Sequence, residues 1–512
     1  MRKIKPRAAP AEAMANAIRA RRLGIDTQYE AVVFMHEDCH VCRSEGFTAH
    51  ARVLLSHGKR EVMATLYHAE GDLIAHDEAG LSESAWRRLG LQDGERIIVT
   101  HPPPLDSLSH VRSRIYGHDL TEAGLHAIIG DIVAGKYSDI HLSSFLTACA
   151  ARELTHNEIL ALTLTMVEAG ERLQWPAGIV VDKHCVGGLP GNRTTPIIVA
   201  IVASLGLVMP KTSSRAITSP AGTADAMETM APVELNTAAI RRVVEQEGGC
   251  IVWGGAVNLS PADDILIRVE RALDIDSEGQ LIASVLSKKI AAGSTHLVLD
   301  VPVGPTAKVR TPESAAVLAR GLAGVAEHFG LHTKVVLTDG TQPVGRGIGP
   351  ALEARDVLAV LQGKPEASPD LRARAITLAG ALLELAGTAR EGNGEAMATD
   401  TLDDRRAWVK FQRICEAQGG MRILPMSRQQ RPMLALQSGL VQAIDNRRIA
   451  RLAKLAGAPD DKAAGVDLQV VVGDRVEPGQ PLCTVHAETP GELAYALDYA
   501  KMNPDIVTVR ES

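Results

Sequence analysis

The chain has 512 residues, too many for one hydrophobic core of ordinary size, and therefore predicts several domains. Its net charge of −7 and its aromatic content of 3% exclude a protein dominated by a nucleic-acid surface, which needs basic patches and stacking rings. The longest apolar run, residues 197–209, is too short to cross a bilayer, and no secretory apolar core follows the basic N-terminus. We therefore expect a cytoplasmic protein with no membrane or nucleic-acid partner.

The first hundred residues predict a small β-barrel. Residues 1–22 are basic, and we expect a mobile leader that runs into a short helix. From about residue 28 to residue 100, short apolar strands alternate with Gly, Asp and Ser, and LIAHD (residues 73–77) is one of them. The run Pro102–Pro104 is a stiff linker, so the N-terminal domain is predicted to span residues 1–102.

The cysteines are scattered along the chain, which predicts reduced thiols rather than a disulfide framework. They are Cys39, Cys42, Cys149, Cys185, Cys250, Cys415 and Cys483. Only Cys39 and Cys42, with His36 nearby, have a spacing typical of metal ligands. Because no second pair of Cys or His accompanies them, we expect a loop or core pair of thiols and no metal.

Helical periodicity begins after the linker. Apolar residues recur on one helix face in residues 120–135, and Thr155 and Glu158 have the spacing of a capping box. These patterns predict a helical subdomain over residues 103–175, against which the helical stretch 260–295 packs.

Apolar strands alternate with glycine loops and helices over residues 176–430, which predicts an α/β domain with a mostly parallel sheet. Within it, the polar stretch 387–404 predicts a surface loop. Residues 431–512 predict a C-terminal α+β hairpin module with turns at Gly473-Asp474 and Pro478-Gly479. The predicted fold class is therefore multidomain α/β, with an N-terminal barrel, a helical subdomain, the central α/β domain and this module.

Two loops rich in hydrogen-bond donors follow successive strands of the α/β domain. The first, DKHCVGGLPGNRTT (residues 182–195), precedes a helix whose N-terminus attracts an anion, and Lys183 adds a charge. It does not fit the P-loop of ATP-binding proteins, because Asn192 and Arg193 stand where Gly and Lys are required. The second loop, residues 211–228, offers serine and threonine hydroxyls, each of which by itself also fits a turn or a cap. Two such loops at strand ends together predict a phosphate site.

The two loops resemble signatures of the thymidine/pyrimidine-nucleoside phosphorylase family. The second is similar to Ser-x-Arg…Gly-Thr-x-Asp-x-x-Glu of that family, and the first to its Asp-Lys-His-Ser-x-Gly-Gly phosphate loop. Residues 281–293 and 336–353 and the C-terminal module are similar too, so the resemblance covers roughly residues 105–500. The N-terminal barrel resembles the extension of a longer subgroup that includes AMP phosphorylases.

The resemblance implies phosphorolysis, in which inorganic phosphate attacks the anomeric carbon of a nucleoside or nucleoside 5′-monophosphate and releases the base. It implies a homodimer or larger homo-oligomer and no cofactor. By its local sequence Asp276 fits a turn carboxylate, whereas the resemblance implies that it donates a proton to the base. The residues implied to bind phosphate are Lys183, Thr195 and Ser213. Those implied to bind the substrate are Gly188, Ser214, Arg215, Ala216, Ile217, Thr218, Ser219, Thr223, Ser284 and Lys308.

Three departures from the shorter pyrimidine enzymes favour a nucleotide such as AMP as the substrate. Cys185 replaces a serine and is a weaker donor, and Val269 stands where those enzymes carry the arginine that binds the pyrimidine ring. The first loop is one residue longer and adds Arg193, so we expect Arg193 or Arg215 to hold a 5′-phosphate. His184 fits a core position and a position facing the base equally well.

Two alternatives stay open. A phosphoribosyltransferase of the anthranilate type shares this architecture but needs carboxylates for magnesium, and the acidic pair Asp263-Asp264 is typical of a helix start. A nucleotide-binding regulator would keep the fold without catalysis. The presence of the implied site residues disfavours it; these include Lys183, Arg215, Thr223 and Asp276.

Overall fold

The computed structural model describes most of the chain, namely residues 16–216, 219–273, 275 and 277–510. The chain forms two units, which are Met1–His118 with Gly130–Ser144, and Asp119–Ile129 with Phe145–Ser512. In the described ranges no helix has both the length and the apolar character that a bilayer crossing requires. All seven cysteines lie in these ranges and none forms a disulfide, as predicted.

Strands of the first unit close into a barrel. They are β1 (Ala17–Arg22), β2 (Val32–Met35), β3 (Arg52–His57), β4 (Arg60–His68), β5 (Glu78–Leu81) and β6 (Arg96–Thr100). Their order around the barrel is β1-β5-β2-β4-β3-β6. Alternate side chains fill the interior because successive residues of a strand face opposite sides; Val53 and Leu55 of β3 are buried, as are Ile97 and Val99 of β6. The predicted barrel is thus confirmed.

Two details of the barrel differ from the sequence prediction. The described part of the predicted leader is strand β1 rather than a helix, because Ile18 and Ala20 are buried while Arg19 and Arg21 face solvent, an alternation of period two. Residues 73–77 are not a strand, because Leu73 ends a short 3₁₀ turn with half of its surface exposed and β5 begins later, at Glu78.

The helices and the remaining strands have the following bounds. The helices are α1 (His40–Glu45), α2 (Glu83–Leu89), α3 (Leu108–Ile115), α4 (Glu122–Val133), α5 (Asp139–Ala151), α6 (His156–Glu168), α7 (Thr195–Ser204), α8 (Thr223–Met230), α9 (Thr237–Glu247), α10 (Pro261–Leu273), α11 (Glu278–Ala291), α12 (Pro312–His328), α13 (Pro350–Leu361), α14 (Pro369–Leu385), α15 (Gly394–Asp403), α16 (Arg406–Ala417), α17 (Asn446–Leu455) and α18 (Pro490–Met502). The strands are β7 (Val181–Cys185), β8 (Met209–Ser213), β9 (Gly249–Trp253), β10 (His296–Val303), β11 (His332–Asp339), β12 (Gly347–Ile348), β13 (Gln429–Leu434), β14 (Gly439–Ile444), β15 (Gly465–Leu468), β16 (Arg475–Val476), β17 (Pro481–Ala487) and β18 (Val507–Arg510).

The helical region of the second unit is tied to a later part of the chain. Helix α6 begins with the predicted capping box, in which Thr155 and Glu158 each accept a hydrogen bond from the backbone amide of the other. Helix α11 packs along α6, although more than a hundred residues separate them in the sequence. The bundle is therefore completed by a segment that follows β9.

Parallel strands form the base of the α/β domain. Strands β11, β10 and β7 make one parallel sheet, and β8 pairs in parallel with β9. A parallel bridge between Val180 and Val208 connects the two sheets. The carboxyl ends of β7, β8 and β10 consequently lie on the same side, where ligands of such sheets bind.

Helix α7 is the centre of the α/β core. Every residue from Thr195 to Ala203 is buried, and the helix packs on α14, α16 and β9. A helix that is apolar on all sides is stable only when other elements surround it. Pro196 occupies a first-turn position, where its missing amide hydrogen costs no helical bond. The burial of α7 therefore fixes the end of the first donor-rich loop.

The predicted surface loop at residues 387–404 instead contains helix α15. Its composition is polar, but Ala398 and Leu402 are spaced by one turn and are both buried. Gly394 allows close contact with α14, because a Cβ atom there would lie 2.2 Å from the carbonyl oxygen of Gly380. The helix depends on this contact rather than on its own apolar pattern.

The C-terminal module contains two helices and two small sheets, to one of which β12 of the α/β domain contributes a strand. The sheets have the orders β12-β15-β17-β13 and β16-β14-β18, and α17 and α18 pack on each other. The predicted turns lie between β15, β16 and β17, where Gly473 and Gly479 have φ values of +99° and +85°. Such values favour glycine, so these residues suit the turns.

Ile201→Ala in α7 should lower the stability of the protein by about 2–5 kcal/mol, because it leaves a cavity in a core that α7 fills completely. Thermal unfolding followed by circular dichroism measures the effect. The matched control is Ile423→Ala, which truncates a side chain that is 96% exposed and should leave the unfolding temperature unchanged. Equal effects of the two substitutions would contradict the central place of α7.

Candidate functional site

Lys183 lies in β7 at the start of the first loop and is almost completely buried. Its Nζ donates to Thr194 Oγ1 at 2.9 Å and lies 3.4 Å from Asp300 Oδ2. Asp300 also accepts hydrogen bonds from Asn192 Nδ2 and Thr338 Oγ1, at 3.1 and 2.7 Å. Burial raises the pKa of Asp300, but Lys183 and these donors outweigh burial and lower it below the usual value. Lys183 is therefore held in an ion pair at the base of the loop.

The glycines of the first loop allow a close approach to the segment after β10. Gly188 has a φ of +79°, and a Cβ atom there would lie 2.4 Å from the backbone nitrogen of Lys308. Only glycine fits such a contact without displacement of the backbone. The structure thus brings together two residues that the sequence placed in the substrate site, although 120 positions separate them in the sequence.

Cys185 and His184 are uncharged at neutral pH. Burial, and next the charge of Asp300, raise the pKa of the Cys185 thiol to about 12. Its Sγ accepts hydrogen bonds from the amide of Gly187 and from Asn192 Nδ2, both at 3.4 Å, so it supports the loop internally. Burial, and next the surrounding lysines, lower the pKa of His184 well below its usual range. Neither side chain contributes a charge to the site.

A buried ionic cluster ties together β7, β8 and α11. Asp182 Oδ1 accepts from Lys211 Nζ at 2.9 Å, and Asp182 Oδ2 lies 2.8 Å from Lys289 Nζ. Burial is the main reason that the pKa of Lys211 falls to about 7. Burial has the opposite effect on Asp182, but the two lysines overcome it and lower the pKa of this carboxyl. The sequence analysis did not identify Lys211 or Lys289.

Asp225 in α8 holds the second loop closed. One of its oxygens, Oδ2, accepts from the amides of Ala216 and Gly222 at 2.6 and 2.9 Å. Gly222 is required here, because a Cβ atom would lie 2.6 Å from the carbonyl oxygen of Ser214. One carboxylate therefore binds the backbone at both Ala216 and Gly222.

Ser213, at the end of β8, offers an unused donor. Its Oγ is buried, and among the described residues it has no hydrogen-bond partner. Buried hydroxyls are nearly always paired, so an unpaired one at the carboxyl end of a strand marks a place for a ligand. An anion is a suitable ligand because it supplies the missing acceptor.

Arg215 is engaged by carboxylates of its own unit. Its guanidinium donates to Glu228 at 2.7 and 2.9 Å and to Glu234 at 2.9 Å, and it lies 4.9 Å from the ring centroid of Trp253. The hydrogen bonds to Glu228 are the main cause of its raised pKa. These contacts hold Arg215 against α8 and the segment that follows it.

Arg193 connects the two loops. Its Nε donates to Glu353 Oε2 at 2.7 Å, one terminal nitrogen donates to Thr223 Oγ1 at 2.6 Å, and the other donates to the carbonyl of Ala221 at 2.9 Å. Glu353 is buried, and burial raises its pKa although Arg193 opposes the shift. The guanidinium groups of Arg193 and Arg215, one of which was expected to hold a 5′-phosphate, both donate to protein acceptors.

The other predicted residues have the following places. Thr195 is the first residue of α7, Ser219 Oγ donates to the carbonyl of Ala221, and Ser284 lies in α11. One turn after Ser284, Lys288 forms an ion pair with Asp263. Three predicted residues lie outside the described part of the chain, namely Ile217, Thr218 and Asp276.

Comparison with known proteins identifies the domains of the chain. Three family models match, in chain order: the helical bundle domain of a glycosyl transferase family at residues 108–170, the a/b domain of that family at 177–408, and the pyrimidine nucleoside phosphorylase C-terminal domain at 440–506. The helical bundle and α/β domains of the predicted fold class are thereby confirmed.

Curated relatives match almost the whole chain. A protein of Chelativorans sp. named "Putative thymidine phosphorylase" is 62% identical over 96% of this chain and 97% of its own length. Proteins of the same name from Polaromonas sp. and Legionella pneumophila are 61% and 56% identical, over 96% and 97% of this chain and 97% and 96% of their own lengths.

Among solved structures, the anthranilate phosphoribosyltransferase of Saccharomyces cerevisiae, in complex with PRPP and Mg, is similar with a TM-score of 0.50 and 16% identity. The similarity covers 62% of this chain and 98% of that one. At this identity it shows a shared fold only.

Arg193→Met should weaken the binding of inorganic phosphate about tenfold or more, because it removes the side chain that connects the two loops. It should also destabilise the protein by about 3–5 kcal/mol, because Glu353 is left buried without its partner. The double variant Arg193→Met/Glu353→Gln removes both charges and keeps an oxygen for the amide of Gly349. We expect it to regain most of the stability and none of the binding. Isothermal titration with phosphate and thermal unfolding measure the two effects.

The matched control is Arg406→Met, which breaks a half-exposed pair with Asp404 and should change neither quantity. Recovery of phosphate binding in the double variant would show that Arg193 acts through stability alone.

Proposed function

The chain belongs to the thymidine phosphorylase family, and from this premise we propose that it is a phosphorolytic pentosyltransferase that uses inorganic phosphate to split a nucleoside or nucleoside 5′-monophosphate into free base and sugar 1-phosphate. No cofactor takes part in the proposed reaction. We also propose that it acts in the cytoplasm as a homodimer or larger homo-oligomer.

The observation that carries the proposal is the pair of loops that Arg193 joins at the carboxyl ends of β7 and β8. The first loop contributes the N-terminus of α7, with Lys183 paired to Asp300 at the base of the loop, and the second contributes the unpaired hydroxyl of Ser213. A helix N-terminus, a cation and hydroxyl donors suit a phosphate ion. A phosphate held by fixed donors is positioned for attack before the sugar reacts.

The reaction proceeds by substitution at the anomeric carbon. A phosphate oxygen forms the new bond to C1′ while the bond from C1′ to the base nitrogen breaks and its electron pair leaves with the base. The sugar gains positive charge in the transition state, which the adjacent phosphate stabilises. The base gains negative charge, and we propose that Asp276 donates a proton to it.

We further propose that the substrate carries a 5′-phosphate and is of the AMP type, so that the products are adenine and ribose 1,5-bisphosphate. Val269 is buried in α10 and has no group that reads a pyrimidine ring. We assign the contact with the 5′-phosphate to Lys308, a cation of the predicted substrate set whose backbone lies against Gly188 of the first loop. This assignment places the contact beside Gly188.

The anthranilate type of phosphoribosyltransferase is the less suitable alternative. Such an enzyme needs carboxylates for a magnesium ion, and Asp263 is instead engaged with Lys288. A regulator without catalysis would not need a phosphate positioned for attack. Both alternatives predict no phosphate-dependent release of base.

Incubation of the protein and phosphate with AMP, CMP, thymidine, uridine and cytidine should release base faster from a nucleotide than from any nucleoside, because the 5′-phosphate adds a charged contact. Chromatography of the released bases measures the rates. If base is released faster from thymidine than from AMP and CMP, the assignment of AMP as the substrate is wrong, whereas the proposed phosphorolysis still stands. Absence of phosphate-dependent base release from all five would overturn the reaction itself.

Asp276→Asn should reduce turnover about 100-fold or more and leave substrate binding nearly unchanged, because it removes the proton and keeps the shape of the side chain. Steady-state rates and equilibrium binding of the nucleotide measure the two effects. Asp274→Asn, two residues earlier in the same segment, is the matched control and should retain activity. Unaffected turnover in Asp276→Asn would remove Asp276 from the proposed role.

A further inference from the structure

Two imidazoles and a carboxylate converge on the N-terminal barrel. His36 and Asp38 lie in the turn between β2 and α1, and His76 lies two residues before β5. One ligand atom from each side chain can be chosen so that all three atoms lie within 4.8 Å of one another. Imidazole nitrogen and carboxylate oxygen are the ligand atoms of zinc and related divalent ions. The proposed phosphorolysis uses none of the three residues.

His36 is held in place by a hydrogen bond to the backbone. The ring is 8% exposed, and its Nε2 lies 2.8 Å from the carbonyl oxygen of Ile74. A carbonyl only accepts hydrogen bonds, so Nε2 carries the proton and Nδ1 keeps its lone pair. Metal-binding histidines almost always donate their second nitrogen in this way, which fixes the tautomer and the direction of the ring. The backbone thus prepares Nδ1 of His36 as a ligand.

The other two side chains meet beside this ring. The His76 ring is stacked on the His36 ring, with centroids 4.1 Å apart, and its Nδ1 lies 2.9 Å from Asp38 Oδ1. The side chains of Asp38 and His76 are 65% and 66% exposed. One side of the cluster is consequently fixed by the backbone, and the other side is open to solvent and able to adjust.

We propose that His36, Asp38 and His76 bind one divalent transition-metal ion of the zinc class. Bonds of about 2.0–2.2 Å require ligand atoms roughly 3–3.5 Å apart. Because an imidazole binds an ion in the plane of its ring, His76 has to rotate out of its stack on His36 when the ion binds, and its exposed position allows this rotation. Three protein ligands leave a coordination position for water. The ion joins the turn after β2 to the segment before β5, and it stabilises the barrel because the ligands converge only in the folded chain.

The neighbouring thiols do not belong to this ligand set. Cys39 Sγ accepts a hydrogen bond from the amide of Cys42 at 3.3 Å and so caps α1, and both cysteines are buried. The proposed ligand set therefore differs from the Cys39 and Cys42 pair that the sequence suggested. It includes His76, which is 40 positions away from His36 in the sequence.

Equilibrium dialysis of the full-length, untagged, metal-free protein against Zn²⁺, followed by metal analysis, tests the proposal. The wild type should bind one Zn²⁺ at the barrel, and saturating Zn²⁺ should raise its unfolding temperature. His76→Asn and Asp38→Asn should each weaken this binding about tenfold or more and reduce the thermal shift at the same Zn²⁺ concentration. Asp38 is exposed, so its replacement does not endanger folding.

The matched control is His57→Asn, because His57 also lies in the barrel and faces a single carboxylate, that of Glu95, at 3.6 Å. It should bind Zn²⁺ as the wild type does. Absence of stoichiometric binding in the wild type, or unchanged binding in both His76→Asn and Asp38→Asn, would overturn the proposal. Loss of binding in Cys42→Ser, with a thiolate-to-metal absorption band in the Co²⁺ form, would also overturn it and assign the ion to the thiols.

Discussion

The site depends on one buried ion pair, between Arg193 of the first loop and Glu353 of α13. Both side chains are largely buried, and a buried charge is strongly destabilising when its partner is missing. The two side chains are therefore kept in contact. The remaining donors of Arg193 reach Thr223 and Ala221 in the second loop. Arg193 thereby fixes the distance between the loop after β7 and the loop after β8. A ligand that contacts both loops would bind to a preorganised site.

The other buried charges near the loops follow the same rule. Lys183 is paired with Asp300, and Asp182 is shared by Lys211 and Lys289. The carboxylates compensate the charges of these buried lysines. Burial lowers the pKa of Lys211, and burial together with the neighbouring lysines lowers the pKa of His184.

The surroundings of the loops are rigid for reasons of packing. Helix α7 is buried over its whole first two turns, so the end of the first loop cannot shift without opening the core. The second loop is closed by Asp225, which binds backbone amides at both ends. Rigid attachment of both loops suits a reaction in which the nucleophile is an ion that must be held in line. In the other unit, the proposed metal ion has the corresponding effect on two segments of the barrel.

The sequence by itself determined the barrel, the two donor-rich loops and the family, because periodicity and motifs are local patterns that short windows of residues contain. It missed strand β1, whose alternation is only a few residues long, and helix α15, which is stable through a contact of Gly394 with Gly380. Only the tertiary structure decided the role of Arg193, since its partner Glu353 lies 160 residues away and no local pattern joins them. Pairings of buried charges are set by which strands and helices meet, and that information appears only when the chain is folded.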